Sequence, residues 1–177
     1  MTVAVGLLEP AAADDGELVR GLTDLINAVY AVAEAGLWRD RAGRTTASEL
    51  AADIRAGEIA VARRDGRILG CVRVHDLSDD TSEFGILVAA PDQRGTGVGA
   101  ALVDFAEQHS RERGRRALRL ELLVPREWSH PSKELLKGWY ERRGYRLIAT
   151  RGMDAAYPHL APLLATPCDL EVREKPL

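Results

Sequence analysis

The stretch LVAAPDQRGTGVGAAL, residues 87–102, decides how the chain is read. Three glycines, Gly95, Gly97 and Gly99, alternate behind Arg94 where an apolar run gives way to a helical period. Glycine in a helix costs about 1 kcal/mol relative to alanine, so three at a helix start imply that something approaches the backbone closely. A strand that ends in such a loop and runs into a helix N-terminus forms an anion site, because unpaired N–H groups and the positive end of the helix dipole converge there. Arg94 can add a charge for the outer oxygens of a bound anion, and a glycine-rich turn without a ligand is the alternative. A dinucleotide fingerprint would place Gly-x-Gly-x-x-Gly directly after the strand, with an acidic residue about 20 positions on. Glu121 is near that place, but the spacing here is Gly-x-Gly-x-Gly and APDQR intervenes. A Walker loop needs Lys and Ser/Thr after its last glycine, where this chain has Ala100 and Ala101.

Outward from the loop, the elements follow in a definite order. VAVGLLE (3–9) reads as a strand, and Leu18, Leu22, Leu25, Ile26, Val29 and Ala33 fall on one helical face. Thr46 and Glu49 form a capping box ahead of a short helix that Gly57 ends. β-Branched runs flank Asp65-Gly66, a strong hairpin signal. EFGILVA (83–89) is the strand before the glycine loop, and Val98, Ala101, Leu102, Phe105 and Ala106 carry the helix behind it. A strand ALRLELLV (117–124) comes next, then a helix with Leu135, Leu136, Trp139 and Tyr140 inward, and two last strands separated by DAAYPHLAPLLATP. The order predicts an α+β fold: a mixed, mostly antiparallel central sheet with helices on both faces.

The bulk numbers bound the function. A chain of 177 residues fits one domain, 1–177, and its net charge of −3 argues against nucleic acid as partner. The basic run RERGRR (111–116) reads as a solvated helix end. Cys71 and Cys168 lie in no ligand-like spacing, so neither a disulfide framework nor a metal site is expected, and Cys71 reads as core. No stretch approaches the roughly 20 apolar residues of a membrane span, and no leader is readable, so a cytoplasmic protein is expected.

Arg94-Gly95-Thr96-Gly97-Val98-Gly99 resembles the Gln/Arg-x-x-Gly-x-Gly/Ala loop of the GNAT superfamily of acyl-CoA-dependent N-acyltransferases. GWYERRGYRL (138–147) resembles that family's later helix-to-strand motif, and the element order matches from residue 3 to 177. The resemblance implies the GNAT acyl-CoA N-acyltransferase fold, acetyl-CoA as co-substrate and no metal. It assigns the pyrophosphate of coenzyme A to the N–H groups of Arg94, Gly95, Thr96, Gly97, Val98, Gly99 and Ala100. The pantetheine arm would run along backbone at Leu87, Val88 and Ala89, with a bulge splaying that strand from its neighbour. Amine attack on a thioester needs a neutral amine and a protonated leaving thiol. By resemblance Glu83 is the base, acting through water, and Tyr140 the acid.

The chain departs from the family at Lys133, where many members carry asparagine, and PREWSHP (125–131) lengthens the preceding loop. That loop brings Trp128 and His130 toward the expected slot, and His130 is an alternative base. Acceptor recognition is expected from Tyr30, Trp38, Arg39, Arg41, Arg44 and the excursion carrying Tyr157 and His159. The expected acceptor is a small polar amine, and a homodimer is one assembly to consider. Two alternatives stay open: a non-catalytic acyl-CoA-binding sensor or scaffold, and an acyltransferase for a protein N-terminus or lysine.

Overall fold

The computed structural model describes residues 3–39 and 43–177, so Arg41 lies outside the described residues. Seven strands form one sheet in the order β1-β2-β3-β4-β5-β7-β6. The strands are β1 (Ala4–Leu7), β2 (Ile59–Arg64), β3 (Arg67–Asp76), β4 (Thr81–Ala89), β5 (Ala117–Pro125), β6 (Arg146–Gly152) and β7 (Cys168–Pro176). Every neighbouring pair is antiparallel except β4 and β5.

Local chemistry sets the helix starts. Helix α1 (Gly16–Ala33) begins at Asp15, whose carboxylate accepts from the N–H groups of Glu17 and Leu18 at 3.1 Å each. Helix α2 (Ala47–Arg55) carries the expected capping box, Thr46 N donating to Glu49 at 2.8 Å and Glu49 N to Thr46 Oγ1 at 3.2 Å. The β2–β3 turn has Asp65 at φ 51° and Gly66 at φ 79°, the left-handed pair of a type I′ hairpin. Helices α3 (Val98–Glu112) and α4 (Pro131–Arg142) and the single-turn α5 (Met153–Ala156) complete the set.

Two cores lie on opposite faces of the sheet. Ile26, Leu50 and Ile54 from α1 and α2 pack on Val61, Cys71 and Val88, while Leu102 and Val103 of α3 and Tyr140 of α4 pack on Phe84 and Leu118. Burial pushes the Cys71 thiol up to about 12, in keeping with an inert core residue. A third, smaller core joins Leu37, Leu123, Met153 and Leu170. It fastens the excursion between β6 and β7 to the segment after α1, through Arg39 N to Leu163 O and Ala165 N to Leu37 O, both 2.9 Å.

Two local expectations are corrected. Leu135 is 75% exposed, and the inward stripe of α4 runs through Lys133, Leu136 and Tyr140 at i, i+3 and i+7. The basic run is not simply solvated: Arg113 and Arg115 both bind Asp76, and Arg116 binds Asp80, tying the end of α3 to the β3–β4 turn.

Candidate active site

The sheet opens where β4 and β5 meet. They pair only through Thr81, Ser82 and Glu83 against Ala117, Leu118 and Arg119. On the other side of β4 the register with β3 slips, Cys71 opposite Val88 but Arg73 opposite Gly85, so Ile86 and Leu87 share Val72 as partner. Ile86 takes φ 49°, a left-handed conformation costly for a β-branched residue and held here by complete packing of its side chain. The bulge reverses the alternation of the strand: Phe84 faces α3 and α4, while Ile86 and Val88 face α1 and α2. Leu87 and Ala89 therefore join Phe84's side.

Past Glu83 the β5-side edge of β4 has no strand partner, which leaves backbone at Leu87, Val88 and Ala89 open for an extended ligand. The gap widens into a cavity of about 430 Å³, walled by Gly85 and Leu87 of β4, Glu121 and Leu122 of β5, and Lys133 and Tyr140 of α4. Val88 itself is buried on the opposite face and offers only its backbone.

The glycine loop stands at the far end of the same strand. Gly95 and Gly97 adopt φ 73° and 88°, conformations that require glycine. Thr96 Oγ1 donates to Gln93 O at 2.8 Å and fixes the turn. The first N–H of α3 with a backbone acceptor is that of Ala101, to Gly97 O at 2.9 Å, so the N–H groups of Val98, Gly99 and Ala100 point out of the helix. Gly99 has an ordinary φ, and a Cβ built on it meets nothing within 4 Å. The protein's own packing does not demand glycine there, whereas a ligand approaching the helix end does. Arg94 is exposed beside this end, and the cradle fits a pyrophosphate.

Glu83 sits at the closed end of the slot, opposite His75 across β3, with His75 Nε2 3.8 Å from its carboxylate. Burial, reinforced by the nearby Glu121 carboxylate, pushes Glu83 up to about 7. Glu121 accepts a 2.6 Å hydrogen bond from Tyr157 Oη, with Arg151 4.0 Å away. Burial followed by that bond raises the Tyr157 phenol to about 12 and keeps it a donor. Tyr140 lies among the rings of Phe84, Trp139 and Tyr145, and burial raises its phenol above the usual range, so it holds its proton at neutral pH.

The structure brings together Leu87, Tyr140, Tyr30, Trp38, Arg44 and Tyr157 around one opening. Glu83 is not in the cavity wall but adjoins it at the last β4–β5 pair, near Glu121, and the glycine loop follows the far end of β4. It does not bring in His130, which is buried with Nε2 3.0 Å from Ala35 O and is no part of the cavity wall. The long loop thus anchors α4 to the end of α1 instead of supplying a base. Sequence reasoning named Glu121 only as the acidic position of a dinucleotide fingerprint, and it missed Glu34. Glu121 keeps step with Arg119 in the alternation of ALRLELLV, so the pattern marks it only as one polar residue on a strand face. Glu34 had no signal, being a single acidic residue just past the end of a helix.

Glu34 explains the family departure at Lys133. Lys133 Nζ binds Glu34 Oε1 at 2.9 Å with the two side chains 5% and 9% exposed, and Glu34 Oε2 accepts from Trp38 Nε1 at 2.7 Å. Removing one partner strands a buried charge. Lys133→Met is expected to cost about 3–5 kcal/mol in denaturant unfolding, and adding Glu34→Gln, which keeps an acceptor for Trp38, is expected to recover most of it.

A sheet split at its one parallel pair, with an anion loop behind one of the parting strands, is the frame of an acyltransferase that uses coenzyme A thioesters. Residues 55–147 match the family model of the acetyltransferase (GNAT) domain, and the chain belongs to that family. No curated protein matches the sequence. The fold is similar to a GNAT family acetyltransferase from Elizabethkingia anophelis with acetyl-CoA bound, at TM-score 0.58 and 17% identity over 75% of this chain and 84% of that one. It is also similar to an aminoglycoside 6'-N-acetyltransferase complexed with coenzyme A, at TM-score 0.71 and 14% identity over 99% and 97% of the two chains. A third likeness is to a ribosomal-protein-alanine N-acetyltransferase from Brucella melitensis, at TM-score 0.67 and 17% identity over 98% and 99%. Among the described residues no helix is long and apolar enough to cross a membrane, and no cluster of His, Cys, Asp and Glu is arranged to hold a metal ion.

Proposed function

We propose that the chain, acting as one domain, transfers the acetyl group of acetyl-CoA directly to the amine of a small-molecule acceptor, with Glu83 as base and Tyr140 as acid. The carrying observation is the parted sheet: a carboxylate with a pKa of about 7 stands at the last β4–β5 pair, and a protonated phenol lines the cavity that opens beyond it. Acetyl-CoA supplies the thioester; the protein's residues do the rest. The N–H groups from Arg94 to Ala100 hold the pyrophosphate, and the open edge at Leu87, Val88 and Ala89 aligns the arm. Glu83, through a water, takes the proton from the incoming ammonium so that the lone pair can attack the thioester carbonyl. Tyr140 gives its proton to the departing sulfur. A carboxylate near pKa 7 is about half ionised at neutral pH, so it can accept a proton and release it again within a turnover. A cytoplasmic location suits a reaction supplied by acetyl-CoA.

The acid role is tested at Tyr140. Tyr140→Phe keeps the ring packing and is expected to lower kcat about 10- to 100-fold in thiol-release assays, with the KM for acetyl-CoA changed little. An unchanged kcat in the folded variant removes Tyr140 from the chemistry.

A further inference from the structure

The charges around the cavity leave a remainder, and the remainder describes a ligand. Arg73 is held by Glu58 at 2.7 Å and Asp53 at 3.3 Å, Lys133 by Glu34 at 2.9 Å, and Arg44 lies 5.3 Å over the Tyr30 ring. Each cation of the described wall is therefore engaged within the protein. Glu121 is matched less fully: its partners are the neutral Tyr157 phenol and the half-exposed Arg151, 4.0 Å away. Away from β4 the wall also carries the hydrocarbon of Ala33, Leu123, Met153, Leu160, Leu163 and Leu170, alongside Tyr30, Trp38, Tyr140 and Tyr157.

We infer that the acceptor is a cationic amine carried on an apolar body, its ammonium seated against Glu121 and its hydrocarbon in the leucine-lined recess. The inference rests on the transferase reading above and replaces the polar acceptor expected from the sequence. The Tyr157 hydroxyl fixes the Glu121 carboxylate in the cavity wall, near enough to Glu83 to raise its proton affinity. Hydroxyl groups carried into the part lined by those six residues would lose their water partners, a desolvation loss that an apolar body avoids. The recess belongs to the acceptor and not to the acyl donor, because none of its six residues comes from β4, the glycine loop or α3. Leu160 and Leu163 come instead from the excursion between β6 and β7, which the third core fastens beside α1.

The test measures thiol release from acetyl-CoA by the full chain across propylamine to hexylamine and phenethylamine, against ethanolamine and an aminoglycoside. kcat/KM is expected to rise up to about fourfold per methylene, with the polar amines at least about tenfold below butylamine. Leu160→Ser is expected to flatten the series, and Glu121→Gln to raise KM about tenfold for every amine without moving the KM for acetyl-CoA. Calorimetry of the same amines on the coenzyme A-saturated protein reads the trend without turnover. Chain-length-dependent binding without turnover sustains the recess and removes the transferase reading. A flat series in both measurements overturns the inference. So does chain-length dependence that appears only when the acyl group is lengthened from acetyl to hexanoyl, since the recess then houses the acyl chain.

Discussion

Glu83→Gln is expected to lower kcat by about 10²- to 10⁴-fold, the range for loss of a general base, while raising stability at alkaline pH. Both effects come from one cause. Burial and the Glu121 carboxylate hold the Glu83 proton to about pH 7, against an ordinary value of 4.5 in the open chain. Below pH 4.5 the group is protonated in folded and unfolded states alike, so it adds nothing to the balance. Between 4.5 and 7 the unfolded chain releases the proton and the folded chain keeps it, so stability falls as pH rises. Above 7 the folded protein carries the whole cost of an ionised, buried carboxylate, on the order of 3 kcal/mol. The glutamine isostere removes that cost, so thermal unfolding of Glu83→Gln at pH 8 should exceed the parent and at pH 4 should match it. The base works ionised, so kcat/KM of the parent should climb through pH 7 to a plateau, and the variant should lose that limb. Lost activity with no gain in stability at pH 8 would place Glu83 at a solvated position and leave its base role without a tuned group. Glu121→Gln keeps Glu83 and should shift the limb to lower pH.

How much of this was legible in the sequence differs between scaffold and site. The order of elements could be read because each has a local cause: the Thr46–Glu49 box, the Asp65-Gly66 turn and the repeats of Leu102 and Ala106 act within a few residues. The glycine loop was readable for the same reason, as Gly95 and Gly97 answer to their own φ angles. The surroundings of the chemistry were not readable, because they depend on strands and segments far apart in the chain. Glu83 owes its raised proton affinity first to burial by the fold and then to Glu121, 38 positions away, and Glu121 receives its orientation from Tyr157, a further 36 on. The Ile86 bulge, which turns Leu87 toward the slot, lies in a run whose hydrophobic beat gives no sign of a slip. His130 misled for the converse reason: a histidine in a lengthened loop reads as exposed, and only the fold shows the end of α1 meeting it.

The second large effect separates the ligand from the fold at Gly99. Gly99→Val places a side chain where the protein has no atom within 4 Å, at an ordinary φ on the second residue of α3. Valine is a better helix former than glycine, so Tm should hold or rise slightly. The same side chain stands before the N–H groups of Gly99 and Ala100, which donate to the pyrophosphate in the proposed complex. Each charge-assisted hydrogen bond contributes about 1.5–3 kcal/mol, so loss of two should weaken acetyl-CoA binding at least about 100-fold by calorimetry. Gly97→Val supplies the contrast, since φ 88° penalises any side chain there. It should lose about 1–2 kcal/mol of stability along with binding. A stable Gly99→Val that binds acetyl-CoA like the parent would mean that no pyrophosphate rests on α3. The glycine at 99 would then lack a physical reason, because a Cβ there meets no group from elsewhere in the fold within 4 Å.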